Sequence, residues 1–117
     1  MSATNPAAAR ILVYNVVVSW VGDAVGIPAR RVSVSRTFKG SPTGGYGFNE
    51  GRFLQMCDEI SVTISISSGR MLRLPGGWRV EHEDDVIAVF IDAVARKLLT
   101  SPISARGVRA REFARRQ

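Results

Sequence analysis

The stretch Glu59-Ile60-Ser61-Val62-Thr63-Ile64-Ser65-Ile66-Ser67 limits the fold more than any other part of this chain. Ile60, Val62, Ile64 and Ile66 alternate with Ser61, Thr63, Ser65 and Ser67. A period of two places the apolar residues on one face of a pleated strand and the hydroxyls on the other. β-Branched residues also suit that surface. The pattern predicts a strand buried on one side. Ser68-Gly69 then suits a two-residue hairpin leading into Arg70–Leu74. Pro75-Gly76-Gly77 predicts a further turn into Trp78–His82. Upstream, Val32, Val34 and Phe38 alternate with Ser33, Ser35 and Thr37, which predicts a half-exposed strand.

The segment from Ile11 to Trp20 has two readings. Val16-Val17-Val18, with Ile11, Tyr14 and Trp20 around them, favours a strand buried on both faces. A buried helix, capped by Thr4 or Asn5 with Pro6 in its first turn and ending at Gly22, is the alternative. Near the other end, Asp84 and Asp85 suit the positive pole of a helix. Ile87, Phe90, Ile91, Val94 and Leu98 then recur at helical spacing as one apolar stripe. The predicted fold class is α+β: an antiparallel β-meander of four to five strands, a C-terminal amphipathic helix packed on one face, and a basic tail that can continue as a helix. Residues 1–100 form one domain and residues 101–117 the tail.

Size fits that plan. The chain has 117 residues, within the usual range of about 100–150 for a single domain. Apolar residues make up 45% and charged residues 22%, the balance of a folded protein rather than a disordered one. The lone Cys57 excludes a disulfide framework and a dithiol motif. The longest apolar run, Ile11 to Val21, is too short to cross a bilayer, and no signal-peptide pattern precedes it. The expectation is a cytoplasmic protein without a membrane partner, in a host cell or a virion if the source is viral.

Charge is distributed unevenly. Residues 1–95 hold nine basic and nine acidic side chains, whereas residues 96–117 hold six Arg, one Lys and only Glu112 against them. The whole net charge of +6 therefore belongs to the last segment. Set on a helix, Arg106, Arg109 and Arg116 share a side with Phe113, while Arg111 and Arg115 fall opposite with Val108. Positive charge all round does not make an amphipathic membrane helix. It makes a polycationic arm suited to phosphates or to an acidic protein surface. Arg96 and Lys97 form its near edge. A solvated extension that keeps the protein soluble is the plainer reading.

Chemistry-bearing motifs are absent. Lys39–Gly51 is glycine-rich, a long loop of the kind that often recognises partners. A phosphate-binding P-loop needs Gly, four residues, then Gly-Lys-Ser/Thr. Here Gly45 is followed by Tyr46 and Gly47, and the dinucleotide spacing of glycines is missed as well. The aromatic strand motifs of the RNA-recognition-motif family are not met either, since Gly45 stands where a basic residue belongs. Tyr46 and Phe48, flanked by Lys39 and Arg52, form a secondary contact loop that could stack on bases or a partner, or fold back as a lid on the sheet. The only histidine, His82, lies among Glu81, Glu83, Asp84 and Asp85, without the repeated spacing of a metal site. Arg70, Arg73 and Arg79 extend the charge over the exposed sheet face.

Together these features predict a small non-enzymatic binding or assembly protein, with no metal or cofactor, whose arginine tail engages nucleic acid or another polyanion. The alternatives are a self-assembling structural subunit of a virus particle or tail, held by exposed strand edges as a homo-oligomer, and a small inhibitor that blocks another protein.

Overall fold

The segment that alternates so regularly is a helix. In a computed structural model that describes residues 5–40 and 44–104, Glu50–Ser68 forms a 19-residue α-helix. Asn49 caps its start by accepting from the Arg52 amide at 2.7 Å, and Gly69, at φ 72°, closes it in the left-handed conformation. Both ends thus carry the residues that satisfy free backbone groups. Phe53, Met56, Cys57, Ile60 and Ile64 are buried along one stripe at three- and four-residue spacing. Val62 and Ile66, the other half of the alternation, are exposed. Ser61 and Thr63 donate their hydroxyls back to the Cys57 and Glu59 carbonyls, so these side chains are satisfied within the helix itself.

Four α-helices lie among the described residues: α1 (Pro6–Val25), α2 (Glu50–Ser68), α3 (Gly76–His82) and α4 (Ile87–Leu99), with a 3-10 turn at Ala29–Arg31. The expected β-meander is overturned. Among the described residues only isolated bridges pair extended backbone, Thr37 with Gly45 and Val86, and Arg70 with Ile103. Ser68-Gly69 is the end of α2 rather than a hairpin, and Trp78–His82 belongs to α3 rather than to a strand. Residues 32–38 run irregularly after the 3-10 turn, with the Val34 and Arg36 carbonyls accepting from the Ala88 and Ile87 amides.

α1 is the central element. Asn5 caps it by accepting from the Ala8 amide, Pro6 begins it, and Gly26, at φ 79°, ends it. The helical alternative for this segment is the correct one, extended four residues past Gly22 to the cap. Ala9, Val13, Val17 and Val21 form a buried row at four-residue spacing. Three consecutive valines cost a helix about 0.5 kcal/mol each in propensity, whereas burying one stabilises by about 1.5–3 kcal/mol. Tertiary packing therefore outweighs the strand preference. At 20 residues α1 is long and apolar enough to cross a bilayer by length and composition alone, a test that the core helix of a globular protein also passes. In this fold α1 packs against α4 and α2, with its valine row buried.

The stripe Ile87, Phe90, Ile91, Val94 and Leu98 is fully buried on α4, but its main neighbour is α1, not a sheet. Arg10 on α1 pairs with Asp92 on α4 at 2.7 Å, and Trp20 on α1 donates to Glu59 on α2 at 2.9 Å. Phe38 sits where the elements meet, with ring centroids 5.6 Å from Phe53, 5.0 Å from Phe90 and 5.7 Å from Phe48. The pairs with Phe53 and Phe90 are edge-to-face, an arrangement that adds about 0.5–1.5 kcal/mol each beyond the area buried.

Candidate functional site

Of the arm, only its near edge lies within the described residues. Arg106, Arg109, Arg111, Arg115 and Arg116 fall outside them. Arg96 and Lys97 occupy the last turn of α4, where positive charge also complements the helix dipole. The chain past α4 is held to the body as far as Ser104: the Met71 amide donates to the Pro102 carbonyl at 2.8 Å, the Ser104 amide to the Gly69 carbonyl at 3.0 Å, and Arg70 Nη1 to the Ser101 carbonyl at 2.7 Å. The arm thus departs from a fixed point beside the end of α2.

Five of the nine carboxylates among the described residues are engaged. Asp92 pairs with Arg10, Glu83 with Lys39 at 3.0 Å, Asp58 with Arg79 at 2.6 Å, and Asp85 with His82 at 2.7 Å. Glu59 accepts from both Trp20 and Gln55. The hydrogen bond to Glu83 raises the Lys39 ammonium above its ordinary value, with nearby acidic charges acting in the same direction.

The glycine-rich loop turns inward. The Tyr46 and Phe48 amides both donate to the Phe38 carbonyl. Phe48 is buried beside Trp20 and Phe38. The half-buried Tyr46 accepts from the Ser33 amide through its hydroxyl, and the Arg36 guanidinium lies 4.6 Å from its ring centre. Gly45 permits the fold-back, since a Cβ there would stand 2.6 Å from the Gly40 amide nitrogen. Arg52 reaches the Ala24 carbonyl at 3.2 Å. This is the lid placement of the aromatics, laid on a helical core rather than on a sheet.

Cys57 and His82 are each occupied. Burial pushes the Cys57 thiol up to about 12, so it is not a thiolate near neutrality. His82 stacks on Trp78 at 4.3 Å between ring centres and bonds Asp85. No group of three potential metal ligands occurs among the described residues. Arg79, expected on an open sheet face, instead bonds Asp58 and the Leu74 carbonyl. With no strand among the described residues, assembly through strand edges has no structural basis there.

The sequence pattern gave no hint of one concave feature among the described residues. A groove of about 460 Å³ opens between the outer face of α2 and the extended segment after it. Val62 (59% exposed), Ile66 (61%) and Met71 (40%) present apolar surface to it. Arg70 and Arg73 lie along its extended wall, and Ser104 borders it. Sequence reasoning missed it because Val62 and Ile66 were assigned to a buried strand face. Reading Phe53, Met56, Cys57, Ile60 and Ile64 as one helical row would have left those two residues outside. No family model, no curated protein and no solved structure matches this chain.

Proposed function

We propose that the protein is a small helical nucleic-acid-binding module whose arginine arm, residues 105–117, supplies the attraction to phosphates. The engagement of the body's carboxylates carries this reading. Five of the nine acidic side chains in residues 5–104 already bond cationic or neutral partners within the body. That leaves four, Asp23, Glu50, Glu81 and Asp84, for five more guanidinium groups, fewer than would match the arm, so part of its charge is left for an external polyanion. Arginine also suits this role, because its planar fork contacts phosphate through two donors at once. Arg96 and Lys97 extend the basic surface toward the body.

The test is a titration of the full chain against a short duplex and a single strand at several salt concentrations. About five phosphate contacts predict an affinity loss of roughly 10²–10³ between 50 and 200 mM salt on duplex DNA. Changing Arg106, Arg109, Arg111, Arg115 and Arg116 together to Gln should flatten that dependence and remove most of the binding. Unchanged affinity in the variant would refute the assignment.

A further inference from the structure

We propose that the groove between α2 and residues 70–73 is a docking site for an acidic amphipathic helix of a partner protein. Its floor is apolar, from Val62, Ile66 and Met71, and a groove of about 460 Å³ is within the size range of specific binding clefts. Its wall is held in place beforehand. The Leu72 amide donates to Ser65 Oγ at 3.0 Å, the Met71 amide to the Pro102 carbonyl, and the Arg70 amide to Ser68 Oγ at 3.2 Å. A wall fixed in advance lowers the ordering cost of binding.

The same bonds choose the form of the occupant. The amides of Arg70, Met71 and Leu72, three of the four along the extended wall, are already used, which leaves an added strand little to pair with. Recognition must come from side chains entering the groove, which is how a helix binds, with anchors at i, i+3, i+4 and i+7. Charge chooses the partner's chemistry. Arg73 is exposed and carries no ion pair among the described residues, and the Arg70 guanidinium bonds the neutral Ser101 carbonyl. A partner with carboxylates beside its apolar anchors complements this rim. A second copy would bring two such rims and two arginine arms together, and this chain's own arm would meet like charge.

The probe is a labelled peptide of about fifteen residues with leucines at the anchor positions and glutamates elsewhere, together with a twin carrying lysines in place of the glutamates. Binding is measured in the full chain with its five arm arginines changed to Gln, so that the arm contributes no attraction and the result is independent of the nucleic-acid reading. The glutamate peptide should bind in the micromolar range and the lysine twin should not. Ile66→Ser and Arg73→Glu should each weaken binding at least about tenfold, with far-UV circular dichroism unchanged because both side chains are exposed. Four results would each overturn the proposal: no binding of the glutamate peptide, equal binding of both peptides, full binding by Ile66→Ser, or a dimer in sedimentation that Ile66→Ser abolishes. Binding that appears only after Val108→Ser and Phe113→Ser would assign the groove to the chain's own C-terminal segment instead.

Discussion

The buried thiol of Cys57 links the core to pH. Its ordinary value is 9.0, and burial, opposed by the charge of Arg79, raises it to about 12 in the folded protein. Below pH 9 both the folded and the unfolded chain keep the proton, and the group's contribution is fully present. Between about 9 and 12 the unfolded chain releases its proton while the folded chain holds it, so stability falls as pH rises. Urea midpoints measured at pH 8, 9 and 10 should decline, and the decline should be shallower in Cys57→Ala. The raised ammonium of Lys39 acts with the same sign and persists in that variant. In the native protein at neutral pH, Cys57 should resist a thiol reagent that labels it at once in denaturant. Immediate labelling without denaturant would mean the site is open.

At the scale of the element, end caps and the buried row from Phe53 to Ile64 explain why a run of β-branched and serine residues holds as a helix. Asn49 meets an orphan amide at the start of α2 and Gly69 adopts the left-handed turn at its end. Asn49→Ala should therefore cost about 0.5–2 kcal/mol, read as a lower thermal midpoint, whereas Ser67→Ala on the exposed side should leave it nearly unchanged. A loss at Asn49 no larger than that at Ser67 would mean the cap is not formed. The alternation at 60–66 was ambiguous because Ile60 and Ile64 satisfy both periods at once. Nine residues are too few to separate a period of 2 from one of 3.6 when every second residue is apolar. The upstream residues Phe53, Met56 and Cys57 separate them, and a window must reach back to Phe53 to include them. In α4 the stripe from Ile87 to Leu98 fits one period alone, and its helix was legible directly.

Across the whole molecule, Phe38 joins segments far apart in sequence: the loop through Phe48, α2 through Phe53 and α4 through Phe90. Phe38→Ala should cost about 3–5 kcal/mol and lower the denaturant midpoint, with Phe48 becoming more accessible as the loop loses its anchor. Unaltered stability would show that the aromatic cluster is not shared between elements. The amino-acid sequence by itself determined the chain's charge asymmetry, the apolar stripe of α4, and the Asn5-Pro6 start that α1 uses, because each depends on residue type and local spacing. Only the tertiary structure decided that α1 is a helix, that Ile60 and Ile64 face inward while Val62 and Ile66 face out, and that Tyr46 and Phe48 fold onto the core. Those choices differ little in local free energy, and burial against distant partners settles them.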